Sequence, residues 1–415
     1  MTQAVLASAP RPLAAGSYPT AIAIALVVLP PLAIMSGMAM TPFLVLLTGL
    51  VGAAVWQQSG LDLADFRREA RPTLLVCGLL LLIPVLSIGW SITPGRSAYT
   101  AAQTVTIMLI GAAGFVIAPR MASLPTRTAA WIFGTLLFTC VVVAIERLPS
   151  RGVLFMAYVD LNANFDRFIN KNVNRGLCAF AVFVWPVALM LEHAGRKRLA
   201  FLAPWIVAVP VAAMHSLSAK MAMVGGFAVY YLVRLAPGLG ARLIMIATPA
   251  FLVAWPLLFK LLYAPFFTAP EVYQRLPDSS QARVDIWNFV SGKILERPVF
   301  GWGLDTSRAT PGGDVSYMPG RVYLPLHPHN SVLHLLLETG VAGFALSVIA
   351  VVLLLRAWQR LTAQDAKAGA VGGAMIVAYL IVGFSAFGVW QTWWIASGWI
   401  GAIMFQFSRA KTSTA

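Results

Sequence analysis

Apolar runs of about 18–20 residues recur along the whole chain, close to the length a helix needs to cross the hydrocarbon core of a bilayer. Short polar turns separate them. The bilayer interior offers no water to backbone N–H and C=O groups, so a spanning segment must satisfy them itself, as a helix does. Twelve such spans are expected, at about 19–38, 41–57, 73–92, 100–118, 128–145, 176–192, 199–215, 221–236, 242–262, 332–356, 369–388 and 390–408. Those at 41–57 and 199–215 are short and suit tilted or partly re-entrant helices. The fold class that follows is an all-α polytopic membrane protein of about 12 transmembrane helices. Composition agrees: the 415 residues are 59% hydrophobic and 11% charged, against about 25% charged in a soluble domain.

Met1–Ser17 holds one Arg and no compact signal-peptide core, so the first run is expected to be retained as a span. Cys77, Cys140 and Cys178 lie far apart inside apolar runs and are expected to be small buried hydrophobes, with no disulfide framework.

The net charge of +15 is spread over many turns, with no basic domain of the kind that binds nucleic acid. Topology explains much of it. With the N-terminus cytoplasmic, 16 of the 30 Lys and Arg fall in cytoplasmic turns and termini, as the positive-inside rule asks. Short outside turns carry only Arg96 and Lys220. The remaining 12 lie in two long outside loops, Arg147–Arg175 and Lys260–Arg321, where that rule gives no reason for them.

Three parts result: residues 1–262, a bundle of about nine spans; 263–331, a large extracytoplasmic loop; and 332–415, the C-terminal transmembrane helices. The loop carries its own structure. Asp278, Ser279 and Ser280 offer N-caps, Val284, Trp287, Phe289 and Ile294 recur at helical spacing, and Pro298 ends the pattern. An amphipathic helix over 281–296, lying on or near the outer leaflet, is expected. Gly301-Trp302-Gly303 and Pro311-Gly312-Gly313 are turn-forming.

Four clusters could carry chemistry. His327-Pro328-His329-Asn330-Ser331 opens a span; Pro328 keeps His327 out of the helix, and Asn330 or Ser331 can cap it. His329 then sits at a helix N-terminus, which favours anions and keeps an imidazole neutral, as a general base must be. The bland reading is a boundary His bonded to a loop carbonyl. His334 and Glu338 share a helix face and suit a hydrogen bond at the helix surface. A metal reading of His327, His329 and His334 is open, but His327 and His329 alternate across an extended stretch and are not expected to converge easily. Arg283 and Trp287 share a face of the loop helix; Arg283 can fork onto phosphate oxygens, and Trp287 can anchor at headgroup level. Against this stands an Arg that snorkels to ordinary lipid. Lys220 stands at the mouth of a span in His215-Ser216-Leu217-Ser218-Ala219-Lys220, where a charge needs a partner. Asn162 to Arg175 holds Asn162, Asn164, Asn170, Asn172 and Asn174 with Arg167, Lys171 and Arg175, a mixture suited to sugar hydroxyls and diphosphate, or to a plain solvated loop. Cations gathered on one side of the membrane point to an anionic, lipid-linked ligand. Walker and Gly-x-Ser-x-Gly motifs are absent. Charges stop at span ends, unlike the buried charges of a transporter.

At this point the chain resembles a known family. Glu296-Arg297-Pro298-Val299-Phe300-Gly301-Trp302-Gly303-Leu304-Asp305, followed by His327-Pro328-His329-Asn330-Ser331-Val332-Leu333-His334 and Glu338-Thr339-Gly340, is similar to the O-antigen ligase and polymerase superfamily. Arg283-x-x-x-Trp287 matches as well. Ser218-Ala219-Lys220 resembles the family's Ser-x-Arg-Gly stretch, with Lys for Arg and Met221 for Gly. The resemblance covers about residues 215–345. It implies a GT-C-like, metal-independent inverting glycosyltransferase of the bacterial inner membrane, without cofactor, active on the periplasmic side. The donor would be an undecaprenyl-diphosphate-linked glycan. The acceptor would be lipid A–core for a ligase in lipopolysaccharide biosynthesis, or another lipid-linked glycan for a polymerase. His329 would activate or orient the acceptor hydroxyl, and Arg283 and Lys220 would bind the diphosphate. Arg175, Asn330, His327 and Trp287 would complete the substrate contacts. Whether His327 shares the role of His329 stays open.

Overall fold

The structure, a computed structural model, describes residues 17–60, 62–121, 124–145, 172–214 and 216–409. Its long helices are α1 (Ser17–Met35), α2 (Met40–Ser59), α3 (Leu63–Leu86), α4 (Pro94–Ile117), α5 (Thr128–Ile145), α6 (Asn174–His193), α7 (Lys197–Ala213), α8 (Leu217–Leu235), α9 (Pro237–Leu258), α10 (Asp278–Glu296), α11 (Ser331–Gln364), α12 (Ala366–Ser385) and α13 (Thr392–Arg409). A helix stands at each of the twelve expected spans. Among the described residues, nine are long and apolar enough to cross a membrane on their own composition. The other three are α7, only 17 residues long, and α8 and α13, which mix Gly, Tyr or Trp among their apolar residues. The chain is an all-α polytopic membrane protein.

Helix α6 is the axis of the bundle, buried along nearly its whole length and packed by α1, α7, α12 and α13. Between apolar helices in lipid, association rests on close packing, which small residues permit. Gly176 leaves no room for a Cβ against Ala33 and Ile34 of α1, and a Cβ on Gly226 of α8 would strike the Trp185 ring.

Helix α9 overruns its expected end. A π-turn at Phe259–Tyr263 carries it into a further turn that stops at Thr268. Helix α10 begins at Asp278, three residues before expectation, so Asp278–Ser280 form its first turn. Its apolar face does not rest on lipid. Ile286 and Val290 are buried with Trp302 and with Leu333 and Leu337 of α11. A short hairpin, β1 (Ser316–Met318) with β2 (Arg321–Val322), follows and was not foreseen.

The largest departure is in α11. A continuous span over 332–356 was expected, but the helix breaks at Gly340, which has φ +61° and ψ −168°. In an unbroken helix, the N–H groups of residues 341 and 342 would bond to the carbonyls of 337 and 338. Here residues 298–303 come between them. Trp302 and Gly303 donate their N–H groups to the Leu337 and Glu338 carbonyls, each at 2.9 Å, while Val341 and Ala342 donate to the Pro298 and Val299 carbonyls at 2.8 and 3.1 Å. The loop is intercalated into the hydrogen-bond ladder of the helix. Such close backbone approach excludes side chains: a Cβ on Gly301 would strike the Glu338 carbonyl, and one on Gly340 the Val299 oxygen. This is the physical content of the Gly-x-Gly and Glu-x-Gly pattern.

The same loop is fastened to the α3–α4 turn. Trp90 Nε1 donates to the Phe300 carbonyl at 3.2 Å, and Leu304 N donates to Ser87 Oγ at 2.9 Å. Arg96, expected in a short outside turn, pairs with Asp305 at 2.8 Å. The opposite end of the bundle is tied separately. Glu192 pairs with Arg234 and Lys367, and His193 Nδ1 with the Ser408 carbonyl.

Candidate functional site

The turns expected on one side of the membrane converge around residues 327–330. Asn330 caps α11, its Oδ1 accepting the Leu333 N–H at 3.0 Å. This fixes the start of the helix and the direction of the three residues before it. Asn330 is fully buried, and among the described residues its Nδ2 has no hydrogen-bond partner. His329 holds φ +55°, a left-handed conformation unusual for a non-glycine residue. Strain of this kind, about 1–3 kcal/mol, persists where surrounding contacts enforce it and gathers at functional sites.

What enforces it is the turn between α12 and α13. His329 Nδ1 lies 2.7 Å from the Ala386 carbonyl oxygen. A carbonyl can only accept, so the ring proton sits on Nδ1 and Nε2 keeps its lone pair. Burial pushes the His329 pKa below the ordinary value, the Ala386 carbonyl opposes this, and Arg283 and His334 add to the lowering. A neutral imidazole with a free Nε2 is a competent proton acceptor.

His327 lies beside it, with ring centroids 4.2 Å apart. The His329 N–H points at His327 Nδ1 from 3.2 Å, and Gln391 Nε2 stands 3.2 Å from its Nε2. Gln391 is itself oriented, because its Oε1 takes the Trp393 Nε1 proton at 3.1 Å. Burial, then His329, His334, Arg308 and Arg175, push the His327 pKa down to about 2.

Arg283 approaches from α10. It is half-buried, and among the described residues it has no carboxylate partner. Burial lowers its pKa, partly offset by the nearby Cys178 thiol of α6. A desolvated guanidinium without a counter-ion is costly and suits an anionic ligand. Cys178 Sγ in turn touches Ser216 Oγ at 3.7 Å, where α8 begins, and Ser218 Oγ donates to the Ser385 carbonyl at 3.1 Å. Lys220 follows one turn after Ser216, half-buried and without an acidic partner among the described residues. Arg175, in the first turn of α6, rests over the Trp393 ring with Cζ 5.5 Å from its centroid. Arg283, Arg175, His327, His329 and Asn330 thus come from three separate stretches to one neighbourhood, and Lys220 of a fourth lies one turn from Ser216.

Two expectations need correction. Trp287 is not a headgroup anchor. Its Nε1 donates to the Pro328 carbonyl at 2.7 Å and its ring packs edge-on against Trp255 and Phe259, so it clamps the histidine segment from behind. Glu338 is not at a helix surface. It is fully buried, accepting from the N–H groups of Asp305 (2.6 Å) and Ser307 (2.9 Å), from Ser307 Oγ and from Trp390 Nε1 (2.6 Å), with His334 Nε2 at 3.1 Å. Asn162, Asn164, Arg167, Asn170, Lys171 and His215 lie outside the described residues.

Three contributors escaped the sequence reading. Arg308, on the turn pinned by Ser307, bears electrostatically on His327. Ala386 acts through its backbone, which no residue type signals. Gln391 was absorbed into the expected span 390–408; a lone amide among Val389, Trp390, Thr392, Trp393 and Trp394 was the available sign.

Comparison with known proteins bears on this region. Residues 202–348 match the family model "O-Antigen ligase". Three rickettsial proteins bearing the name "putative polysaccharide ligase" are similar over longer stretches. That of Rickettsia conorii is 27% identical over 74% of this chain and 73% of its own length. Those of Rickettsia typhi and Rickettsia prowazekii are 29% and 28% identical over 56% of this chain, matching 58% of their own length. The matched segment holds Lys220, Arg283, Trp287, His327, His329, Asn330 and Glu338, while Arg175 and Gln391 fall outside it.

Proposed function

Taking residues 202–348 as an O-antigen ligase family segment, we propose that this ligase-type membrane protein transfers a glycan from undecaprenyl diphosphate to a sugar hydroxyl of lipid A–core, at the periplasmic face of the inner membrane. The observation that carries this reading is the His329 tautomer: Nδ1–H held on the Ala386 carbonyl, Nε2 free, with the uncompensated Arg283 beside it.

The acceptor hydroxyl gives its proton to His329 Nε2 as its oxygen bonds to the anomeric carbon. The bond from that carbon to the diphosphate oxygen breaks, and the electron pair leaves with undecaprenyl diphosphate. Attack opposite the leaving group inverts the anomeric centre. Arg283 and Lys220 hold the diphosphate and stabilise the charge that grows on it. Arg175 and the unpaired Asn330 Nδ2 add donors on the same side. The leaving diphosphate supplies the driving force, so no nucleotide is consumed. The similarity to proteins named as polysaccharide ligases favours this over the polymerase reading, in which the acceptor is a second lipid-linked glycan.

The test is transfer in proteoliposomes with undecaprenyl-diphosphate glycan and lipid A–core, without nucleotide. His329→Ala is expected to lower kcat by about 10²–10⁴-fold, the usual range for a general base. Arg283→Ala should raise KM for the donor as well as lower kcat. Full activity of His329→Ala would overturn the base role. Transfer to lipid-linked glycan alone would make the protein a polymerase.

A further inference from the structure

The turn 386–391 touches the histidine segment at three points. The Ala386 carbonyl takes the His329 Nδ1 proton at 2.7 Å, the Val389 N–H donates to His334 Nδ1 at 3.2 Å, and Gln391 Nε2 faces His327 Nε2 at 3.2 Å. The turn is also bolted down at its centre, since Trp390 Nε1 donates to the buried Glu338. Glu338 at the same time receives the Asp305 and Ser307 N–H groups of the outer loop. One carboxylate therefore joins the outer loop, α11 and the α12–α13 turn, and the turn orients both histidines.

Both ring nitrogens of His327 face N–H groups, from His329 and from Gln391. A neutral ring can accept only one of them at a time, and a protonated ring could accept neither. Among the described residues, Arg308, Arg175, His334 and His329 are the titratable and charged groups around this ring, and Arg283, His327 and His334 those around His329; none of these is an acid. We propose that Gln391 is a positioning residue, which keeps His327 uncharged at 4.2 Å from His329 so that His329 retains its basicity. A positive charge at that distance would oppose proton uptake on the His329 ring. The inference rests on the transfer reaction proposed above for its consequence, but not for its geometry.

Gln391→Glu tests it. The carboxylate keeps the length and the bond from Trp393, but turns the group facing His327 Nε2 from donor to acceptor. An opposite charge this close raises an imidazole pKa by about one to three units. In protein reconstituted in nanodiscs with ¹⁵N-labelled histidine, His327 of the wild type is expected to stay neutral down to the lowest pH at which the fold survives. In Gln391→Glu its signals should move toward the imidazolium positions at a pH at least one unit higher. The five histidines are few enough to assign by single substitution. In the transfer assay the acid limb of the Gln391→Glu rate profile should shift upward by a similar amount. Gln391→Met, which removes the donor without adding charge, should lower kcat and leave the donor KM within about twofold. Superimposable His327 titrations in wild type and Gln391→Glu would overturn the inference, whatever the enzyme assay gives. A wild type that transfers no glycan, with His327 shifted as expected, would overturn the function and leave the positioning intact.

Discussion

His327 and His329 are neighbours in sequence and in space, yet their surroundings prepare them differently. His329 has one nitrogen committed to a carbonyl and one with no hydrogen-bond partner among the described residues. His327 is kept from a proton by its burial and by the cations near it, and its two nitrogens face N–H groups. This has a consequence for stability. In the unfolded chain an imidazole takes up a proton near pH 6.5, whereas folded His327 stays neutral down to about pH 2. Between those values the unfolded state binds more protons, so stability is full above about pH 6.5 and is lost progressively as pH falls. The thermal midpoint in detergent should drop between pH 7 and pH 5, and His327→Asn should flatten that dependence. The histidines and Arg283 were legible because their spacing around Pro328 and Trp287 is local. Their partners were not, since Ala386 contributes a carbonyl and Gln391 sits more than fifty residues away in a tryptophan-rich run.

The elements follow from the sequence where their cause is local and depart from it where the cause is distant. Long apolar runs fixed twelve helices near their expected places, because a run of that length has no other way to satisfy its backbone in lipid. The break in α11 could not be read from 331–364, because the groups that replace its hydrogen bonds lie at 298–303. Gly340→Ala tests the arrangement. At φ +61° and ψ −168° the backbone lies in a region essentially reserved for glycine, which costs a residue with a Cβ about 1–3 kcal/mol, and here the added carbon also meets the Val299 carbonyl oxygen. The variant is expected to unfold several degrees lower in a thermal ramp and to lose transfer activity. A midpoint equal to the wild type would mean that the strap at 298–303 is not held as described. Val341→Ala at the neighbouring position, whose side chain is more than half exposed, should be close to neutral and serves as the control.

At the scale of the molecule, the site gathers on one end of the bundle, while the Glu192–Arg234–Lys367 group ties the other. That polarity makes an orientation testable. The three native cysteines are buried, so a single introduced one reports alone. A cysteine at exposed Arg308 should react with an impermeant thiol reagent in intact spheroplasts, and one at exposed Arg198 only after permeabilisation. The reverse pattern would place the site in the cytoplasm and remove the proposed donor. The intercalated strap sets a further limit. Were residues 298–303 to swing away, the carbonyls of Leu337 and Glu338 and the N–H groups of Val341 and Ala342 would lose their partners together. Each unsatisfied group inside a low-dielectric region costs several kcal/mol. The 298–303 segment is therefore a fixed wall and not a door. On the proposed function, the bulky lipid-linked donor would have to reach His329 from the side, between helices, past parts that have no place in the α11 ladder.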